Sequence, residues 1–168
     1  MDRQSVYGLT ITALLCIGVV LSGSQAQAQQ KTLRDQLAGT WSLVSNENVA
    51  PDGAKRQPFG ANPKGILILD ANGRYAQVFI NIQANNRVQG TPEEIKAAWE
   101  GALAHFGTWS VIEADKTVVL RAEGSFYPNQ VGNDDRRLVS SVTADELKFV
   151  NAASTAGGRT EAIFRRAK

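Results

Sequence analysis

His105 is the only histidine in the chain, and Cys16 is the only cysteine. A Ser-His-Asp triad would need His105 as its base, but no serine stands in a Gly-x-Ser-x-Gly sequence. Histidine and cysteine are also too few for a structural zinc site. The glycines are spread among strands and turns rather than grouped in a phosphate-binding loop. The sequence therefore predicts no catalytic triad, no bound metal and no cofactor.

Asp134 and Asp135 form a carboxylate pair that could act in acid–base chemistry or bind a hard cation. Adjacent residues of a strand point to opposite faces, however, and residues 132–135 have the composition of a turn. Arg136 and Arg137 follow directly. We therefore expect these charges to neutralise one another at the surface rather than to form a site.

After the Asn-Gly hairpin signal at residues 72–73, aliphatic side chains alternate with aromatic and amide side chains. The return strand, 74–82, places aromatic and amide side chains on one face and aliphatic side chains on the other. The mixed face holds Tyr75, Gln77, Phe79 and Asn81, and the aliphatic face holds Ala76, Val78, Ile80 and Ile82. In an ordinary core the aliphatic face points inward. In a ligand-binding barrel the mixed face lines a cavity, and the aliphatic face packs under a helix.

A similar ambiguity applies to Arg121 and Glu123 on a later strand. They form either an exposed pair that contributes little to stability or a buried polar contact for a ligand. If the interior binds a ligand, we expect its contacts to come from Tyr75, Gln77, Phe79, Trp99, Arg121, Phe126 and Tyr127.

Residues 1–28 have the features of a secretory signal peptide. Arg3 supplies the basic region, residues 6–21 are almost free of polar groups, and Ala26-Gln27-Ala28 fits a cleavage site. The apolar run is short for a membrane span and lacks a cationic flank. We therefore expect cleavage after Ala28 and an exported bacterial protein, periplasmic or secreted, without lasting membrane insertion.

The remaining chain of about 140 residues is long enough for one domain with a sizeable core, and it holds no cysteine for a disulfide. The net charge of +2 is not concentrated in a basic tract, so we expect no nucleic-acid partner. Residues 29–36 are interpreted as a flexible leader and the start of a short helix. Residues 37–168 are interpreted as a β-barrel domain.

Two helices are predicted among the strands. The first covers residues 31–38, with Leu33 and Leu37 on one face. The second covers about 92–106, because a capping box begins at Thr91 and apolar residues recur at helical spacing. We expect this amphipathic helix to cap the barrel. His105 would lie at its end, where the helix dipole favours a protonated imidazole.

The rest of the pattern predicts short antiparallel strands, closed into a barrel of about eight strands. The predicted strands are 41–44, 66–69, 74–82, 107–112, 117–122, 125–127, 136–142, 146–151 and 160–166. The segment 46–63 is predicted to be mostly loop, with at most a short strand near Lys55, because it contains three prolines and an Asp-Gly pair.

Four stretches carry a resemblance to known proteins: "LAGTWSLVS", "QPFGANPKGILILDANGRY", "FGTWSVIEADKTVVL" and "GSFYPNQVGNDDRR". On these stretches the chain resembles the bacterial and fungal family of lipocalin-like domains. The resemblance implies a lipocalin-like barrel whose first strand opens with Gly39-Thr40-Trp41 and whose last strand supplies an arginine, Arg165 or Arg166. It also implies binding of a small ligand.

The resemblance implies no mechanism. In many members of the family a histidine pair stands where this chain has Leu120-Arg121, and an aromatic residue stands at Gln130. The second Gly-Thr-Trp-Ser sequence, at Gly107 to Ser110, repeats the one at Gly39 to Ser42. We interpret both copies as helix-to-strand transitions in which a tryptophan covers an end of the core. The structural residues are then Gly39, Trp41, Gly107, Trp109 and Arg165.

Three functions remain open. The first is an exported carrier that binds a small, largely apolar molecule in the barrel. The second is an isomerase, cyclase or hydratase that acts on a bound hydrophobe through Tyr75, Tyr127, Arg121 or a carboxylate. The third is a structural or envelope-interaction protein that uses the loop 46–63 as a contact surface. The residues determine neither the ligand nor the oligomeric state.

Overall fold

The computed structural model describes residues 31–82, 90–152 and 158–168. The predicted signal peptide, residues 1–28, lies outside these ranges. The helices are α1 (Leu33–Leu37) and α2 (Pro92–Glu100). The strands are β1 (Gly39–Val49), β2 (Lys55–Arg56), β3 (Lys64–Leu69), β4 (Arg74–Ile80), β5 (Ala102–Ile112), β6 (Thr117–Ser125), β7 (Asp134–Val142), β8 (Glu146–Asn151) and β9 (Arg159–Arg166).

Eight of these strands close into an antiparallel barrel. From β3 to β9 each strand pairs with the next one in the chain, β1 pairs with β3, and β9 pairs back with β1. The short β2 adds a two-residue ladder beside the end of β1. Closure removes the unpaired edges that an open sheet would expose. The predicted mainly β barrel of about eight strands is confirmed.

The core fills one end of the barrel, which we call the closed end. Trp41 is completely buried there, and its indole N–H donates to the carbonyl of Leu37 at 2.8 Å. The guanidinium of Arg166 lies 4.0 Å from the centre of the Trp41 ring and donates to the carbonyls of Gln36 and Ala38. These contacts connect α1, β1 and β9 through one buried aromatic ring.

The arginine in this position is Arg166, so the assignment to Arg165 was wrong. Strand alternation explains the difference, because Arg166 shares the inner face of β9 with buried Phe164 while Arg165 points outward. Gly39 has a φ of +132°, and a Cβ there would come within 2.7 Å of the Arg166 guanidinium. Glycine is therefore required where the chain leaves α1.

The second Gly-Thr-Trp-Ser sequence has a different backbone setting from the first. Gly107 lies inside β5 rather than at the end of a helix, at the point where the β5–β6 register shifts. A side chain at Gly107 would collide with the backbone of Arg121, so this close approach of two strands explains the glycine. Trp109 nevertheless repeats the role of Trp41, because its indole N–H donates to the carbonyl of Asp70 and Arg34 lies over its ring.

Helix α2 begins at the predicted capping box but ends at Glu100, so the predicted extent of 92–106 was wrong. Residues 102–106 instead belong to β5, where hydrogen bonds to β4 and β6 outweigh the helical spacing of the apolar residues. Helix α2 has no buried residue. Within residues 31–82, 90–152 and 158–168, no helix has the length and apolar character needed to cross a membrane.

Several strand boundaries also differ from the prediction, among them those of β1, β6 and β7. Strand β1 continues to Val49 through part of the predicted loop, because residues 45–49 pair with β9. Strand β6 ends at Ser125, so 125–127 is not a separate strand. Strand β7 begins at Asp134, which makes the aspartate pair part of a strand rather than a turn. In each case the pairing partner is distant in sequence.

We predict that Trp41→Ala lowers the free energy of unfolding by about 3–5 kcal/mol, because it leaves a large cavity under α1 and removes the ring beneath Arg166. Trp99→Ala is the matched control: Trp99 is 46% exposed, and its loss should cost about 1 kcal/mol. Urea unfolding of both variants measures the difference. Equal losses would contradict the structural role of Trp41.

Candidate functional site

The other end of the barrel contains a cavity of about 820 Å³. Its walls come from the inner faces of the strands, so they collect side chains that are distant in sequence. The apolar lining includes Phe59, Phe79, Leu103, Leu120, Ala122, Phe149 and Ala162, and the polar lining includes Asn46, Tyr75, Gln77, His105, Asp135 and Arg137.

Strand β4 turns its mixed face inward. Tyr75, Gln77 and Phe79 are buried and line the cavity, while Val78 and Ile80 are each 42% exposed on the outer surface. Of the two orientations that the sequence left open for β4, the structure therefore has the one in which the mixed face lines a cavity. The aliphatic face does not pack as expected, because α2 buries none of its residues. Asn81 lies beyond the end of β4.

The other predicted ligand contacts lie in three different places. Tyr127 lines the cavity, and its hydroxyl donates to the carbonyls of Trp99 and Ala102. Trp99 and Phe126 are exposed and stack on each other, with ring centres 4.3 Å apart. Arg121 points away from the cavity and forms an ion pair with Asp134 at 3.1 Å. Arg121 is outward because its neighbours Leu120 and Ala122 occupy the inner face.

A buried arginine forms the centre of the polar lining. Arg137 donates from Nε and Nη2 to one oxygen of Asp135 at 2.9 and 2.6 Å, and from Nη1 to the side-chain oxygen of Gln77 at 2.6 Å. Asn151 donates to the other Asp135 oxygen at 2.8 Å. These bonds offset the cost of burying the Arg137 charge. The expectation of a surface-neutralised aspartate pair was therefore wrong for Asp135.

Two further hydrogen bonds connect Gln77 to His105 on β5 and His105 to Tyr75. The amide nitrogen of Gln77 lies 3.0 Å from Nε2 of His105, and Nδ1 of His105 lies 2.8 Å from the hydroxyl of Tyr75. His105 is 7% exposed and lies within β5, not at the end of a helix. The expectation that a helix dipole keeps it protonated was wrong.

Burial determines the protonation states of His105 and Tyr75 at neutral pH. Desolvation, supported by the nearby charge of Arg137, lowers the pKa of His105 to about 4. Desolvation also raises the pKa of Tyr75 to about 12. His105 is therefore a neutral imidazole, and Tyr75 keeps its proton.

Sequence reasoning did not place His105, Asp135 or Arg137 in the site. Their spacing could have revealed Asp135 and Arg137, because they share one face of β7 with Val139, which is apolar and buried. In the same way, His105 shares one face of β5 with the buried Trp109. Within the described part of the chain, no group of three or more His, Cys, Asp or Glu side chains could hold a metal ion.

Comparison with known families identifies the family of this chain. A family model described as a lipocalin-like domain matches residues 38–167. The chain belongs to the lipocalin-like domain family. A search of curated proteins found no significant match. Among solved structures, this lipocalin-like domain is similar to a lipocalin-like protein from Bacteroides uniformis, with 14% sequence identity, a TM-score of 0.44, and coverage of 79% of this chain and 99% of that one.

The buried neutral imidazole predicts a pH-dependent stability. His105 takes up a proton near pH 6.5 when unfolded but only near pH 4 when folded, so protons favour the unfolded state as the pH falls through this range. We predict a loss of about 2 kcal/mol of unfolding free energy between pH 7 and pH 5, where most carboxylates remain ionised.

Urea unfolding at several pH values measures this loss, and NMR titration of the single histidine gives its pKa directly. The control is His105→Gln, which should remove the dependence between pH 7 and pH 5. A wild-type imidazole pKa at or above 6.5 would contradict the prediction.

Proposed function

We propose that this lipocalin-like protein binds a small, largely apolar molecule inside its barrel. The observation that carries the proposal is the cavity of about 820 Å³, whose apolar walls surround a small group of polar side chains. Ligand pockets in proteins typically have volumes of about 300–1,000 Å³ and a similar lining. The aromatic rings of Phe79 and Phe149 would contact the apolar body of the ligand.

The hydrogen bonds within the cavity favour binding over catalysis. The two groups best suited to act as bases are Asp135, which accepts from Arg137 and Asn151, and His105, which lies within hydrogen-bonding distance of Gln77. Proton abstraction would require these groups to leave their present partners. We therefore favour a carrier over an isomerase, cyclase or hydratase.

We further propose that the protein is exported. The basic start, apolar run and small-residue cleavage pattern of residues 1–28 support this proposal. Mass spectrometry of the protein recovered from the periplasm or culture medium would test it. A mature chain that begins at Gln29 is expected, and a full-length chain found only in the cell interior would overturn the proposal.

Filling the cavity should weaken ligand binding strongly. Ala122 lies on the inner face of β6 and lines the cavity, so the ring of Ala122→Phe would occupy the space of the ligand. Ala104→Phe is the matched control, because Ala104 is on β5 but on the opposite face from His105. We predict that Ala122→Phe weakens binding of Nile red at least about tenfold and that Ala104→Phe does not.

Fluorescence titration with Nile red measures both affinities, and native mass spectrometry shows whether each purified variant retains a molecule from its host. Thermal unfolding checks that both variants are folded. Equal Nile red binding by folded wild type and folded Ala122→Phe would contradict binding inside the barrel.

A further inference from the structure

We infer that the cavity recognises a neutral carbonyl oxygen on an otherwise apolar ligand, and that the hydroxyl of Tyr75 donates the hydrogen bond to it. This inference rests on the proposed binding function and specifies the polar end of the ligand. It follows from the direction in which the hydrogen bonds from Arg137 to Tyr75 must run.

The donor and acceptor of each hydrogen bond can be assigned in order, starting from Arg137. A guanidinium group can only donate hydrogen bonds, so the atom of Gln77 that lies 2.6 Å from Nη1 must be the amide oxygen. The NH₂ group of Gln77 is then directed at His105. The opposite amide orientation would place one N–H donor against another.

The nitrogen of His105 that carries the proton is assigned in the same way. The NH₂ group of Gln77 donates to Nε2 of His105, so Nε2 carries no proton. A neutral imidazole holds its single proton on one nitrogen, which leaves it on Nδ1. Nδ1 lies 2.8 Å from the Tyr75 oxygen and therefore donates to it.

Tyr75 is the last residue in this series of hydrogen bonds. Its oxygen accepts from His105, so its own proton must point elsewhere, and within the described residues no other group bonds to the hydroxyl. Tyr75 is buried and lines the cavity. Each bond in a chain of this direction polarises the next donor, so the Tyr75 hydroxyl is a strengthened donor that faces the ligand space.

A second cavity group also has an unused bonding capacity. The amide of Asn46 lines the cavity, is 7% exposed, and makes no hydrogen bond with another described residue. Like the Tyr75 hydroxyl, it is uncharged. The groups left for a ligand beside the buried Arg137 are therefore neutral polar groups, and the further cation of the lining, Arg136, is exposed to solvent.

The ion pair between Arg137 and Asp135 favours a neutral acceptor over a carboxylate at Tyr75. The buried guanidinium of Arg137 is already paired with Asp135, so this pair adds no net charge near Tyr75. A ligand carboxylate bonded to Tyr75 would be a desolvated anion without a cation of its own, which is costly. A ketone, aldehyde, ester or quinone oxygen accepts the same hydrogen bond without that cost.

Three naphthalenes that differ in one substituent test the inference: 2-acetylnaphthalene, 2-ethylnaphthalene and 2-naphthoate. The wild-type protein should bind the ketone about threefold to tenfold more tightly than the hydrocarbon, as expected for one net hydrogen bond, and should bind the carboxylate most weakly. Isothermal titration calorimetry measures all three affinities. Infrared spectra of the ¹³C-labelled acetyl group should show a carbonyl stretch lowered by hydrogen bonding.

Tyr75→Phe keeps the ring and removes the donor. It should lose the preference for the ketone and the lowered carbonyl stretch, while its affinity for 2-ethylnaphthalene stays the same. Tyr127→Phe is the matched control, because the Tyr127 hydroxyl also lies at the cavity but donates to backbone carbonyls. It should keep both the preference and the lowered stretch.

The outcomes separate this inference from the proposed function. Equal binding of ketone and hydrocarbon by the wild type overturns the inference and leaves the binding function intact. Tighter binding of 2-naphthoate also overturns it. A failure of all three naphthalenes and Nile red to bind overturns the binding function itself. If Tyr75→Phe does not fold, the wild-type affinities and the carbonyl stretch still decide the inference.

Discussion

The ion pair between Arg137 and Asp135 is the interaction on which the interior of this barrel depends. A guanidinium in an apolar enclosure is stable only when its charge is paired and its N–H groups are bonded. Asp135 supplies the charge and Gln77 supplies a further acceptor. The orientation of the Gln77 amide then determines the proton position on His105 and the direction of the Tyr75 hydroxyl. One buried cation thus organises side chains from three strands.

The two ends of the barrel have different physical roles. At the closed end, Trp41 and Trp109 are buried beneath arginines, and their indole N–H groups bond to backbone carbonyls. Large buried rings fill the space there. At the other end, the small side chains of Ala122 and Ala162 leave the space that forms the cavity. The packed aromatic core is therefore at one end of the barrel and the cavity is at the other.

Much of the architecture could be predicted because its causes are local. The Asn-Gly turn, the capping box before α2 and the alternation along β4 each depend on residues only a few positions apart. The site was predictable in part for the same reason: Tyr75, Gln77 and Phe79 share a face by simple alternation. The end of α2 was not predictable locally, because residues 102–106 join β5 through bonds to two other strands.

The sequence by itself determined the family, the β-barrel class and which side chains of each strand lie on the same face. Only the tertiary structure decided which face points inward, because alternation has the same period whichever side is buried. It also decided that Arg166 rather than Arg165 covers Trp41, that Arg121 is outside, and that His105 is a buried neutral imidazole. Each of these results depends on strands that meet through barrel closure, and alternation within a single strand gives only a partial signal of them.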